Sequence, residues 1–119
     1  MVIPEKRLED IILKMPPQRW KIVAMVVGRK SSNYAVNNTK KSHPFVSARN
    51  PLKRLHAEVR LCCITPDKVL EGCTVIVYRK NVFGRAMAKP CSICIEALRL
   101  KRVKKVIYST TVGFEEMEV

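Results

Sequence analysis

The sequence predicts an α/β domain in which helices pack on a mixed β-sheet. Segments with the apolar spacing of a helix alternate with apolar runs rich in valine and isoleucine, the order expected of a layered α/β protein. The chain has 119 residues, of which 47% are hydrophobic and only four are glycine, a composition typical of a folded core. We therefore expect residues 1–119 to form a single domain.

The first helix is indicated by four apolar residues at the spacing of one helical face: Leu8, Ile11, Ile12 and Met15. Pro16 ends this pattern. Residues 20–27 then form an apolar run, and residues 34–36 follow after a polar link, which predicts a two-stranded hairpin.

The rest of the chain continues the alternation. A long basic loop leads to His56, and a short helix is expected over residues 57–64, stopped by Pro66. We then expect a strand over residues 74–78, a loop over 81–89, a helix over 91–100 and a strand over 103–108. The last residues, 110–119, are either a short strand or a frayed tail.

Composition narrows the class of protein. No run approaches 18 uncharged apolar residues, so we expect no membrane-spanning helix. The first residues carry Glu5, Glu9 and Asp10 and lack the uninterrupted apolar stretch of a secretory signal, which indicates a cytoplasmic protein. Five cysteines, an odd number, then favour thiols that are reduced, buried or bound to metal over a disulfide framework.

Two short motifs stand where loops enter predicted helices: His56-Ala57-Glu58 and Pro90-Cys91-Ser92-Ile93-Cys94. Together, and in this order, they resemble the zinc motifs of the cytidine and deoxycytidylate deaminase superfamily. The resemblance extends from the strand at Trp20 to Tyr108. It implies an α/β, three-layer cytidine-deaminase-like domain with a mixed central sheet and helices on its faces.

The resemblance also implies a role for each motif residue. His56, Cys91 and Cys94 would hold Zn²⁺, and Glu58 would carry protons between water, the base and the leaving ammonia. This assignment is chemically sound, since three protein ligands leave the fourth tetrahedral position open, as catalytic zinc sites require. Helix N-termini also favour the thiolate form of cysteines placed there.

The other cysteines leave alternatives. A structural Cys3His zinc site would need a fourth ligand from Cys62, Cys63 or Cys73. Cys62 and Cys63 would lie about 9 and 10 Å along a helix from His56, too far to share its metal, whereas the spacing does not exclude Cys73. A redox pair at a helix start would need only the C-x-x-C motif.

Further site residues follow from the resemblance and from charge. The resemblance implies that Asn38, or else Asn37, contacts the sugar or base, although both also suit a turn. It further implies that Ala57 and Pro90 line the substrate.

The loops that precede the two motifs are basic. Residues 11–57 and 72–95 contain no acidic residue but several lysines and arginines. We expect Arg54, Arg85 and Lys89 to contact phosphate, unless the charge is only a basic solvated surface. His43 is interpreted as a loop residue rather than a ligand.

The predicted function is hydrolytic, zinc-dependent deamination of cytosine in a nucleoside or nucleotide. The net charge of +13 keeps open a deaminase of cytosine or adenine in single-stranded DNA or RNA. Phe45 or Phe83 could then stack on bases, although either ring could equally be a loop anchor packed on the core. A non-catalytic nucleic-acid-binding module is disfavoured because it has no use for Glu58. Expected partners are the cytosine substrate, nucleic acid in the second case, no membrane, and further copies in a homo-oligomer.

Overall fold

The computed structural model describes residues 3–15, 21–27, 33–37, 56–81 and 83–119. The strands in this part of the chain are β1 (Lys21–Val27), β2 (Tyr34–Val36), β3 (Thr74–Asn81), β4 (Gly84–Ala86), β5 (Lys105–Ser109) and β6 (Phe114–Glu118). The helices are α1 (Glu5–Leu13), α2 (Ala57–Ile64), α3 (Asp67–Leu70) and α4 (Ser92–Leu100).

The strands form one mixed sheet in the order β2-β1-β3-β5-β6, with β4 paired to β3. Only β3 and β5 run parallel, and the other paired strands are antiparallel. Because successive side chains of a strand point to opposite faces, residues of β3 divide between two buried layers. Val75 and Val77 pack on the side of α2 and α4, whereas Ile76 and Tyr78 pack on the side of α1. The α/β fold with helices on both faces of a mixed sheet is therefore confirmed.

The sheet topology explains where the helices begin. In a parallel β-α-β unit, the helix begins at the carboxyl end of the strand that precedes it. Helix α4 connects β3 to the parallel β5, so its first turn lies at the carboxyl edge of these strands. Ser109, at the end of β5, accepts from the N–H of Arg79 through Oγ and donates to the carbonyl of Ala86. It thereby fixes the β3–β4 hairpin at the same edge.

The structure departs from the sequence-based expectations in short elements. Residues 81–89 contain strand β4 instead of a continuous loop, and the four-residue helix α3 was not predicted. Residues 114–118 form a strand paired with β5, which decides between the two alternatives for the C-terminal segment. Within the described ranges, no helix has the length and apolar character needed to cross a membrane.

Candidate active site

His56 and Cys91 each occupy the residue immediately before a helix. His56 has extended backbone angles, and its carbonyl accepts from the N–H of Arg60 in the first turn of α2. Cys91 stands in the same relation to α4, where its carbonyl accepts from the N–H of Ile95. Both side chains therefore leave the chain at a helix mouth, where they can point beyond the end of the helix.

These helix starts bring three donor atoms together. Nδ1 of His56 lies 3.1 Å from Sγ of Cys94 and 3.6 Å from Sγ of Cys91, and the two sulfur atoms are 3.4 Å apart. Ligand atoms around a tetrahedral zinc ion are separated by about 3.5–3.8 Å, given bonds of about 2.0–2.3 Å. The distance of 3.6 Å lies in this range and those of 3.1 and 3.4 Å are shorter, so the three donors are close enough together to share one zinc ion.

Among the described residues, these three form the group of potential metal ligands, drawn from His, Cys, Asp and Glu, whose ligand atoms all lie within 4.8 Å of one another. Cys62 and Cys63 lie further along α2, where both line a groove of about 360 Å³ with Lys101. The thiol of Cys73 donates to the carbonyl of Val69 instead. No third cysteine of the described chain joins the cluster as a fourth ligand, so the arrangement resembles an open catalytic zinc site rather than a closed structural one.

The two cysteines of the cluster differ in protonation. The hydrogen bond between the two sulfur atoms lowers the pKa of Cys91 to about 4 against the opposing effect of burial, with a further contribution from His56. The same hydrogen bond raises the pKa of Cys94, and so do its burial and the charge of the neighbouring Glu58 carboxylate. One thiolate, a second sulfur and an imidazole form a donor set that suits zinc, and the imidazole gives the cluster a ligand that a simple redox pair does not require.

Glu58 lies in the first turn of α2 with only 5% of its surface exposed. Burial raises the pKa of its carboxyl group, although hydrogen bonds from its own backbone N–H and from Cys94, and the charge of His56, oppose this effect. The hydrogen bond with Cys94 puts this buried carboxyl directly beside the His-Cys-Cys cluster.

The remaining predicted substrate contacts lie in different settings. Ala57 is the first residue of α2 and is fully buried, and Pro90 is buried directly before Cys91. Oδ1 of Asn37 accepts from the backbone N–H of Ile22 at 2.9 Å and so extends the pairing of β1 and β2. Asn38, like Arg54 and the loop residues His43 and Phe45, lies outside the described residues.

The phosphate contacts predicted at Arg85 and Lys89 separate in the structure. Arg85 lies on the α1 side, where Nη1 is 2.7 Å from Oε1 of Glu5 and Nε donates to the carbonyl of Thr110. Its guanidinium also covers the ring of Phe114. Arg85 thus has a structural role on the opposite face from α2 and α4, and its phosphate contact stays a prediction. Lys89 is exposed two residues before Cys91.

Two residues that support the site were missed in the sequence. Nη1 of Arg60 donates to the carbonyl of Val36 and links α2 to the end of β2. The sequence did offer a signal for this supporting role, because Arg60 lies four residues, or one helical turn, after His56. Ser109 is fully buried and fixes β4 to β5, but a serine at the end of a strand carries no comparable signal.

The match to a known family agrees with this geometry. Residues 8–110 match the family described as the cytidine and deoxycytidylate deaminase zinc-binding region. No curated protein and no solved structure is significantly similar to the chain. The match covers most of the sequence and includes both helix starts that form the His-Cys-Cys cluster. The chain therefore belongs to the cytidine and deoxycytidylate deaminase zinc-binding family.

Proposed function

We propose that the protein is a hydrolase that deaminates cytosine in a nucleoside or nucleotide and releases ammonia and the uracil product. The observation that carries this proposal is the convergence of His56, Cys91 and Cys94 beside the buried carboxyl of Glu58. Three ligands without a fourth protein ligand in the described chain suit a metal that must also bind a reactant.

The ligand residues and Glu58 have different roles in this reaction. His56, Cys91 and Cys94 would hold the metal, and a zinc ion in such a site supplies Lewis-acid activation of water. Glu58 takes one proton from the attacking water and delivers it to the ring nitrogen. It then takes the second proton from the newly bound hydroxyl and delivers it to the departing amine. The oxygen of water forms a bond to the ring carbon, the bond from that carbon to the exocyclic nitrogen breaks, and ammonia leaves.

The family and the charge support a cytosine substrate that carries phosphate. The family takes its description from deaminases of cytidine and deoxycytidylate. The exposed Lys89 lies close in sequence to Cys91, and the whole chain carries a net charge of +13. A cation at the edge of the site would favour a phosphorylated substrate over a neutral nucleoside.

A polynucleotide substrate, with cytosine or adenine as the target base, is the second candidate. The exposure of the Phe83 ring, which is 94% accessible, favours it, because the aromatic is not used as a core anchor. A non-catalytic nucleic-acid-binding module has less support, because such a module has no use for a carboxyl buried beside the metal ligands.

The direct test incubates the zinc-loaded protein with cytidine, dCMP, dCTP, single-stranded DNA and tRNA. Release of ammonia and the mass of each product are followed, and the Glu58→Gln variant gives the background. We expect turnover of dCMP or dCTP with a higher kcat/KM than that of cytidine. Turnover of the polymers alone would establish the second candidate. No turnover of any substrate would contradict the proposal and favour a binding module.

A further inference from the structure

The β3–β4 hairpin exposes the side chain of Phe83 at the edge of the sheet where the His-Cys-Cys cluster lies. Asn81 pairs with Gly84 across the hairpin, and Oδ1 of Asn81 accepts from the N–H of Phe83 at 2.8 Å. Gly84 has a φ of +116°, a conformation that favours glycine. The turn that carries Phe83 is therefore held by its own hydrogen bond and by a glycine suited to its backbone.

The exposed surface of this hairpin is unusually apolar. Phe83 is 94% exposed and Met87, after strand β4, is 50% exposed. A phenylalanine ring gains nothing for folding when it stays in water. An exposed aromatic and an exposed thioether in one short segment instead suit a contact with a partner that offers flat apolar surfaces.

The hairpin lies at the edge where the candidate active site lies. The N–H of Ala88 donates to the carbonyl of Ser109 at 2.8 Å, which binds the return segment to the carboxyl end of β5. Phe83 precedes Cys91 by eight residues, so the two lie at most about 28 Å apart. A strand of about 4–16 nucleotides, the length that one single-strand-binding fold covers, can reach from one to the other.

The charge around the hairpin is positive. Residues 72–95 contain no acid but include Arg79, Lys80, Arg85 and Lys89. Lys80 and Arg85 are partly neutralised by ion pairs with acids of α1. Lys89 is exposed and makes no ion pair within the described part of the chain. The segment between Phe83 and Cys91 therefore presents an apolar ring and a free cation together.

We propose that the β3–β4 hairpin is a contact for single-stranded nucleic acid, in which a base stacks on Phe83 and a backbone phosphate lies on Lys89. Stacked bases and phosphates are the two surfaces that such a pair recognises, whereas an apolar protein partner has no need of the cation. The inference rests on the second candidate function in one respect: the strand would place its target base at the His56, Cys91 and Cys94 cluster.

The test measures binding, without turnover, of a fluorescently labelled oligothymidine of about ten nucleotides by fluorescence anisotropy. Phe83→Ala should weaken binding about 5- to 150-fold, the cost of losing one base-stacking aromatic, and Phe83→Trp should restore it. Leu13→Ala is the matched control, because Leu13 is also an exposed apolar residue, at 72%, but lies on α1. Its affinity should equal that of the wild-type protein.

Two further measurements identify the chemistry of the contact. Lys89→Ala should reduce the slope of log affinity against log salt by about 0.7, as expected for one lost phosphate contact to a single strand. An abasic oligonucleotide of the same length should bind wild-type protein and Phe83→Ala equally, because it has no base to stack. Equal binding of oligothymidine by wild-type protein and Phe83→Ala would overturn the proposal. Binding through Phe83 by a protein that deaminates no cytosine would instead overturn the proposed function and leave this inference standing.

Discussion

Nδ1 of His56 lies 3.1 Å from Sγ of Cys94, although 38 positions separate the two residues in the chain. They meet because helix α2 begins directly after His56 and helix α4 begins directly after Cys91, and both helices pack on the same face of the sheet. The His-Cys-Cys cluster therefore forms where the starts of two helices meet. Its geometry depends on the packing of α2 and α4 as much as on the ligands.

The ligands can be tested by zinc content. Wild-type protein should hold about one zinc per chain, whereas Cys91→Ser and His56→Ala should retain only the background level, since each loses one of three donors. Cys63→Ser is the matched control, because Cys63 is an exposed cysteine of α2 outside the cluster. The zinc content is measured by mass spectrometry of dialysed protein. Zinc that is retained by Cys91→Ser, or lost from Cys73→Ser, would contradict the three-ligand site.

The packing of α4 can be tested by substituting two of its leucines. Leu98 is fully buried against the sheet, whereas Leu100 is 68% exposed. Leu98→Ala should lower the free energy of unfolding by about 2–5 kcal/mol, because it leaves a cavity in the core. Leu100→Ala should change it by less than about 0.5 kcal/mol. Urea denaturation followed by circular dichroism measures both, and equal losses would show that α4 does not pack as described.

Arg85 distinguishes a structural role from a phosphate contact. Arg85→Ala removes its contacts with Glu5, Thr110 and Phe114 and should destabilise the protein by about 1–2 kcal/mol. Arg102→Ala, whose exposed ion pair with Glu71 spans 3.7 Å, should cost less than about 0.5 kcal/mol. If Arg85 held the substrate's phosphate, its loss would raise the KM of dCMP but not of cytidine. An unchanged ratio of the two KM values would show that Arg85 acts only through its contacts within the protein.

The ion pair between Glu9 and Lys80 predicts a pH dependence of stability. Partial burial opposes ionisation of Glu9, but hydrogen bonds from Lys80 and Tyr78 hold its pKa below the usual 4.5. The folded protein thus binds this proton less tightly than the unfolded chain, so the stabilisation is present above about pH 4.5 and is lost as the pH falls further.

Glu9→Gln should therefore lower the Tm by about 2–5 °C at neutral pH and by less near pH 3.5. Thermal unfolding at both pH values gives the comparison with wild-type protein. A Tm difference that is the same at both would show that the charge of Glu9 is not what stabilises the fold.

The sequence predicted the long elements and the metal ligands because their signals are local. Pro66 follows α2 closely, and the apolar spacing of Leu8 and Ile12 marks α1. His56 and Cys91 were assigned because two short local motifs resemble the zinc motifs of the deaminase superfamily. Strand β4 was missed because three residues, Gly84 to Ala86, are too short to show alternation.

Charge did not reveal which face of the sheet a basic residue occupies. Arg85 and Lys89 are four positions apart in the same acid-free segment, yet Arg85 contacts α1 and Lys89 stays exposed beside the site. The register of β4 on β3, which pairs Lys80 with Arg85, determines this difference. Pairing register depends on contacts between distant segments, so composition alone cannot provide it.

In the proposed function, Glu58 moves protons at a metal held by His56, Cys91 and Cys94. The most direct measurement of this role is the ammonia released from dCMP by Glu58→Gln, together with its zinc content. We expect the variant to keep about one zinc per chain but to lose about 10²- to 10⁴-fold in kcat, the usual contribution of a general acid–base group. A zinc-loaded Glu58→Gln protein that deaminates dCMP at the wild-type rate would contradict it.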